Sequence, residues 1–213
     1  IILIDSKSRL AQALSKKMVI MSHGFKGNTT GSSRSFVNFK DILVSEGFNV
    51  FRFDQPNSGN SEGNFIDSSF NEWVQTIVYF ARKYLDEGYE IVLLGQSMGA
   101  TATTIASVRN GIKDKVATII LWVPDPKSNS SDWLSEEQSA KKHQDNILEE
   151  VGQKYKSSFW QEAKDADFFA CINKYKGPIH LVYGEKDMFV SEGLRKQVVD
   201  AVRRKGQQVM ILK

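Results

Sequence analysis

The pentapeptide GQSMG at residues 95–99 constrains the fold more than any other feature of this chain. It follows an apolar run, residues 91–94, and it opens a stretch of small residues, 100–108. A strand, a tight turn and then a helix is the setting in which G-x-S-x-G forms a nucleophile elbow. The pattern therefore predicts that the Ser97 hydroxyl stands above a sheet edge, with the Met98 N–H at the helix N-terminus directed toward a developing oxyanion.

Strand-like and helix-like segments alternate along most of the chain. Apolar runs of strand length fall at residues 18–21, 49–53, 91–94, 116–123, 179–183 and 208–212, and helical spacing falls at 36–43, 70–85 and 190–204. Repeated strand–helix units predict an α/β fold with a mostly parallel central sheet and helices on both faces. Residues 1–14 are expected to add a strand pair at one edge of that sheet.

Residues 124–176 interrupt this alternation. The segment is polar and helix-prone, and it carries no pattern typical of a strand. A connection this long between two strands is usually a functional excursion. Because it leaves the strand next to the elbow, we expect a helical cap over Ser97, with residues 1–123 and 177–213 forming the core. The alternative is a helical insertion packed away from that site.

Composition excludes several classes of function. Lys and Arg exceed Asp and Glu by only 28 − 25 = 3 and are scattered, so nucleic acid is not an expected partner. No apolar run approaches the ~20 residues of a membrane span. The single cysteine, Cys171, allows no internal disulfide and favours a reducing compartment, so we expect a cytoplasmic protein. No His, Cys or Asp set has metal-ligand spacing, so neither a metal nor another cofactor is expected. The oligomeric state is left open.

Four segments occur in an order that resembles the α/β-hydrolase superfamily over almost the whole chain. They are the HGF tripeptide at 23–25, the loop DQPNSGNSEG at 54–63, the elbow, and GEKD at 184–187. Within the superfamily the chain is similar to capped serine esterases of the cinnamoyl/feruloyl esterase and monoacylglycerol lipase kind. The 54–63 loop departs from the family pattern D-x-x-G-x-G-x-S-x-G at Asn57, a residue type that tolerates left-handed backbone.

The resemblance implies a role for each matched residue. Phe25 would supply the second oxyanion-hole N–H beside that of Met98, and Asp187 would be the catalytic acid. Asp125, after the strand that ends near residue 123, is the alternative acid, although a simple turn is the favoured interpretation there. A serine hydroxyl needs a base to remove its proton, and a carboxylate orients that base.

The base is missing from the expected place. The family order puts a histidine on the loop after the last strand, but none of the three histidines follows Asp187. His23 belongs to the oxyanion loop, His180 lies within a strand, and His143 lies in the polar segment. We expect that the sequence stops just short of the histidine, as its first residue, Ile1, also suggests a missing start. The alternative is a degenerate hydrolase without a base.

These observations predict hydrolysis of a small-molecule carboxylic ester through an acyl-enzyme on Ser97. Thioester hydrolysis, acyl transfer and peptidase chemistry use the same scaffold and remain alternatives. A non-catalytic binding protein on a hydrolase scaffold is the alternative of a different class.

Overall fold

The computed structural model describes residues 3–6, 16–129, 141–142, 146–150 and 152–212. In chain order its strands are β1 (Leu3–Ser6), β2 (Lys17–Ser22), β3 (Asn49–Phe53), β4 (Glu90–Gln96), β5 (Val116–Trp122), β6 (Lys141–Lys142), β7 (Ile147–Glu150), β8 (Gln153–Lys156), β9 (Ile179–Gly184) and β10 (Gln208–Leu212). Its helices are α1 (Ser35–Ser45), α2 (Phe70–Asp86), α3 (Met98–Ala106), α4 (Ser158–Asp165), α5 (Phe168–Lys174) and α6 (Glu192–Arg203).

Seven of these strands form the central sheet, in the order β1-β3-β2-β4-β5-β9-β10. The pairs from β3 to β10 are parallel, and β1 joins β3 antiparallel at the edge. The predicted mostly parallel sheet is confirmed. One strand of the N-terminal pair expected in residues 1–14 is therefore present, and the rest of that stretch lies outside the described residues.

The apolar runs of the strands are buried on both faces of the sheet. In β2, Met18 and Ile20 face a large core cluster that includes side chains of α2, α3 and α6. Val19 and Met21 face a second cluster that includes Phe36 of α1. All four β2 side chains are at most 1% exposed. A strand sandwiched between helices needs apolar residues at every position, which explains the continuous runs in the sequence.

The excursion between β5 and β9 differs from the predicted helical segment. Strands β6, β7 and β8 form a separate antiparallel sheet before α4 and α5 begin, so the prediction of a helical segment without strands is wrong. Leu148 and Tyr155 pair across β7 and β8, and both side chains are buried. Gly152 supplies the positive φ of 77° in the turn between these strands. One apolar pair amid charged neighbours is too short a pattern to predict a hairpin.

The last helix of the excursion packs against the core. Helix α5 contacts α3 and α6, and the Lys205 ammonium donates to carbonyl groups at the end of α5, that of Ile172 among them. A cation at a helix C-terminus satisfies carbonyl groups that have no intrahelical partner. Within the part of the chain that the structure describes, no helix is both long and apolar enough to cross a membrane.

Candidate active site

Ser97 occupies a strained turn between β4 and α3. Its φ is 54° and its ψ is −125°, a conformation that costs a non-glycine residue roughly 1–3 kcal/mol. A Cβ on Gly95 would lie 2.5 Å from the Ala100 Cα, and one on Gly99 would lie 2.3 Å from the His23 carbonyl oxygen. Neither glycine can therefore be replaced without moving backbone. The strand, turn and helix expected around GQSMG are present.

The candidate residues follow strands that end at one edge of the sheet. The strand registers pair Ser22 with Gly95, and Gln96 with Trp122. Strand β9, paired with β5, continues this edge to Gly184. The loop of residues 23–27, Ser97, Asp125 and the Asp187 loop all leave the sheet at these carboxyl ends. This edge is where ligands bind in open α/β sheets.

The backbone of Gly24 lies against Ser97. A Cβ on Gly24 would sit 3.0 Å from the Ser97 Cβ and 3.5 Å from its Oγ. The Phe25 N–H is part of the peptide that joins Gly24 to Phe25. This N–H therefore belongs to the peptide unit that lies next to the Ser97 hydroxyl. Met98 is the first residue of α3, where an N–H has no acceptor within the helix. Among the described residues, neither N–H has a hydrogen-bond acceptor.

His23 fixes the orientation of the Gly24–Phe25 peptide. Its Nδ1–H donates to the Gly24 carbonyl at 2.8 Å, and its Nε2 accepts from the Gln55 N–H at 2.9 Å. The Gly27 N–H also donates to the Gly24 carbonyl, at 3.0 Å. Because a trans peptide is planar, two donors on this carbonyl also fix the direction of the Phe25 N–H. His23 therefore has no free nitrogen with which to act as a base for Ser97.

Burial keeps the His23 imidazole neutral. The ring is 1% exposed and packs edge-on against Trp73 at a centroid distance of 5.5 Å. Desolvation by burial lowers the pKa of His23 below its ordinary value of 6.5 and outweighs the hydrogen bond to Gly24 and the charge of Asp54. A neutral ring can donate through one nitrogen and accept through the other, as both contacts require.

Asp54 organises the loops beside the site. Its buried carboxylate accepts from the Thr29 N–H at 2.6 Å and from the Asn60 N–H at 2.9 Å. A Cβ on Gly59, whose φ is 56°, would lie 2.5 Å from the Asp54 Cγ. Asn57 has a φ of 63°, so it adopts the left-handed backbone expected where the family pattern has glycine. These contacts are the kind that the predicted structural role of the 54–63 loop requires.

The carboxylate of Asp187 makes no ion pair with Lys or Arg in the described part of the chain. Its Oδ1 accepts from the N–H groups of Phe189 at 2.8 Å and Val190 at 2.9 Å. These bonds fold the turn after β9 and fix the carboxylate. Asp125 differs, because it is 7% exposed and its carboxylate lies 3.8 Å from the Lys127 ammonium. The Asp125 N–H donates to the Ser97 carbonyl at 3.4 Å, so both aspartates belong to this edge.

Tyr183 is a site residue that the sequence analysis did not identify. Its hydroxyl donates to the Pro124 carbonyl at 2.8 Å, which ties the end of β9 to the end of β5. Burial raises the pKa of Tyr183, and the charges of Asp125 and Asp187 raise it further. The hydroxyl therefore stays protonated and remains a donor. A tyrosine at the third buried position of an alternating strand carries no signal for this role.

The described histidines cannot serve as the base. His180 pairs with Ile120 near the start of β9, about 13 Å along the strand from Gly184 at ~3.3 Å per residue. His143 lies outside the described residues. Strand β10 ends beside the Asp187 loop, since Leu212 is in register with Gly184.

Aromatic side chains of the excursion pack around Phe25, in the loop of residues 23–27. The ring centroid of Phe25 lies 5.0 Å from those of Tyr155 and Phe159 and 4.7 Å from that of Trp160. Phe65, from the loop before α2, lies at 5.0 Å as well. We call these five rings the aromatic cluster. It places β8 and α4 on the same side of the molecule as Ser97.

A cavity of about 780 Å³ runs along α2, but it includes none of the candidate site residues. Its lining includes Asn71, Tyr79, Arg82 and Arg109. Within the described residues, no three His, Cys, Asp or Glu side chains come together in a way that could hold a metal ion. At the carboxyl edge of the sheet the described residues include the Ser97 hydroxyl, the Phe25 and Met98 N–H groups and the Asp187 carboxylate.

Comparison with known proteins gives a family match and many similar structures. A family model described as "alpha/beta hydrolase fold" matches residues 17–159. No curated protein sequence matches the chain.

Among solved structures, Est1E from Butyrivibrio proteoclasticus with ferulic acid bound is 18% identical, with a TM-score of 0.80 over 99% of this chain and 84% of Est1E. The monoacylglycerol lipase of Paleococcus ferrophilus is 17% identical, with a TM-score of 0.69 over 100% of this chain and 88% of the lipase. Mouse alpha/beta hydrolase domain-containing protein 10 is 19% identical, with a TM-score of 0.70 over 99% of this chain and 83% of the mouse protein. At these identities the structures establish a shared fold.

Proposed function

This chain belongs to the α/β-hydrolase fold family, and from that premise we propose that it is a serine hydrolase that cleaves carboxylic esters. One observation carries the proposal: the strained Ser97 turn lies directly against the Gly24 backbone. The Ser97 hydroxyl then lies next to the Gly24–Phe25 peptide, and the Phe25 and Met98 N–H groups have no acceptor among the described residues. That is the arrangement needed to attack an acyl carbon and to stabilise the oxyanion that forms.

The reaction we propose has two halves. Ser97 Oγ attacks the ester carbonyl while a base removes its proton, and the Phe25 and Met98 N–H groups donate to the developing oxyanion. The tetrahedral intermediate collapses, the alcohol leaves with that proton, and the acyl group remains on Ser97. Water then attacks the acyl-enzyme by the same route and releases the acid.

The proposed base is a histidine in residues that follow Lys213. The register of Leu212 with Gly184 favours this position, because a chain continuing from β10 emerges beside the Asp187 loop. Asp187, with no Lys or Arg ion pair among the described residues, would accept the imidazole N–H and stabilise the imidazolium. Asp125 is less suited, since its carboxylate already faces the Lys127 ammonium.

The proposed substrate is a small-molecule ester with an apolar or aromatic acyl group. The cap of residues 124–176 is part of this proposal, and the aromatic cluster is its support, since four of the five rings surround the Phe25 ring beside the proposed oxyanion donor. The ferulic acid bound to Est1E and the monoacylglycerol lipase name point to the same substrate class.

Hydrolysis of short aryl esters tests the proposal. We expect the 213-residue chain to show little activity and a chain extended past Lys213 to be active, with Ser97→Ala abolishing the activity. Ser45→Ala is the matched control, because the Ser45 hydroxyl is exposed and, among the described residues, bonds only within α1. An extended chain with no histidine, or activity that survives Ser97→Ala, would contradict the proposal and favour a binding protein on this scaffold.

A further inference from the structure

A cap residue forms an ion pair with the residue that follows Phe25. The Lys26 ammonium lies 2.8 Å from Glu150 Oε2, and the Lys26 side chain is 22% exposed. Glu150 ends β7, one strand of the β6–β8 sheet, which we call the cap sheet. The contact joins this sheet to residues 23–27, which we call the oxyanion loop because they include the proposed Phe25 donor. The same ammonium lies 5.7 Å from the centroid of the Phe25 ring.

The backbone at Lys26 needs support from its surroundings. Its φ is 57°, a region that a residue other than glycine, asparagine or aspartate seldom adopts. The turn 24–27 is closed by the Gly27 N–H bond to the Gly24 carbonyl. His23 and Gly27 fix the carbonyl side of the Gly24–Phe25 peptide. The backbone of Lys26, the residue after Phe25, sets the direction of the chain beyond this peptide. Glu150 restrains the Lys26 side chain.

We propose that Glu150 and Lys26 are positioning residues that couple cap placement to the oxyanion hole. The inference rests on the proposed function, because the hole matters only if Ser97 forms an oxyanion. With the cap in place, the ion pair restrains Lys26 and through it the Phe25 N–H. When the hairpin moves away, the restraint is lost and the donor loses its alignment. The cap therefore controls catalysis through this contact and not only by covering the substrate.

The structure offers a matched control for this coupling. Lys156 of β8 pairs with Asp67 at 3.0 Å, and this pair also joins the cap sheet to the core. It does not involve the oxyanion loop. If ion pairs only fasten the cap, Lys156→Ala and Glu150→Gln should have similar effects. If Glu150 positions the donor, the two variants should differ.

The test measures aryl ester turnover and amide hydrogen exchange at Gly27 in the same variants of the extended chain. The Gly27 N–H donates to the Gly24 carbonyl, so its exchange reports whether the 24–27 turn stays closed. We expect Glu150→Gln to lower kcat about tenfold, since a small misplacement of a catalytic group has effects of this order. KM should stay within about twofold, and the Gly27 N–H should exchange faster. Lys156→Ala should change neither kcat nor exchange at Gly27. The charge swap Lys26→Glu with Glu150→Lys should restore part of kcat.

Two results would overturn the inference. One is an unchanged or higher kcat in Glu150→Gln with unchanged exchange at Gly27, and the other is an equal effect of Lys156→Ala. If the unsubstituted extended chain is inert toward esters, the proposed function fails instead. Exchange at Gly27 still tests the coupling in that case, because it needs no turnover.

Discussion

Replacing Gly24 with alanine should reduce catalysis far more than stability. The added Cβ would lie 3.0 Å from the Ser97 Cβ and 3.1 Å from the Gln96 carbonyl oxygen, so these neighbours must move by a few tenths of an ångström. Overpacking of this size costs about 1–3 kcal/mol of the free energy of unfolding, which lowers Tm by roughly 2–12 °C for a chain of this length. The same shift separates the Ser97 hydroxyl from the Phe25 N–H. We expect kcat to fall by about 10- to 100-fold.

Two other glycines make this a graded series. A Cβ on Gly99 would lie 2.3 Å from the His23 carbonyl oxygen, whereas one on Gly193 would have nothing within 4 Å. Gly99→Ala should therefore prevent stable folding, and Gly193→Ala should leave both Tm and kcat close to those of the unsubstituted protein. Thermal unfolding and aryl ester kinetics measure the two quantities in parallel. If Gly24→Ala keeps full activity, the reasoning that places Phe25 N–H beside the Ser97 hydroxyl is refuted.

Three further predictions concern the proposed acid, the buried histidine and the contact between the proposed cap and α2. Asp187→Asn should lower kcat for aryl esters by about 10⁴-fold, whereas Asp125→Asn should change kcat by less than about tenfold. Equal losses of kcat in the two variants would mean that the acid is misassigned. Burial lowers the pKa of His23 below 6.5, so as the pH falls the unfolded chain binds a proton on this residue before the folded chain does. The free energy of unfolding should therefore decrease below about pH 6.5, by at most ~1.4 kcal/mol per pH unit. Urea unfolding from pH 8 to 5 should show this slope, and His23→Asn should reduce it. Glu162 accepts from two donors at the N-terminus of α2, so Glu162→Ala should lower the free energy of unfolding by about 1–2 kcal/mol. A urea midpoint no lower than that of the exposed-site control Gln161→Ala would contradict this.

Local sequence patterns predicted the central sheet well. The strands at 49–53 and 208–212 were predicted with the bounds that the structure has. Burial on both faces makes each strand a continuous apolar run, and glycines with positive φ, such as Gly47 and Gly206, mark the turns before them. The elbow was equally clear, because a strained turn restricts the residue types at Gly95 and Gly99.

The excursion between β5 and β9 and the contacts that support the candidate site were harder to predict. The β7–β8 hairpin depends on one buried pair, Leu148 and Tyr155, which packs onto a surface built by distant segments. The hydroxyl of Tyr183 and the pairing of Lys26 with Glu150 depend on tertiary contacts between residues far apart in the sequence. Periodicity describes which face of an element is buried, and it contains no information about which polar groups then meet.

The most direct measurement of the central claim is the site of covalent modification by a fluorophosphonate. The extended chain is treated with the probe, digested, and the modified peptide is identified by mass spectrometry. We predict one adduct, on Ser97, that disappears in Ser97→Ala and forms slowly in Asp187→Asn. An adduct on any other residue, or an enzyme that hydrolyses esters while Ser97 stays unmodified, would contradict the account.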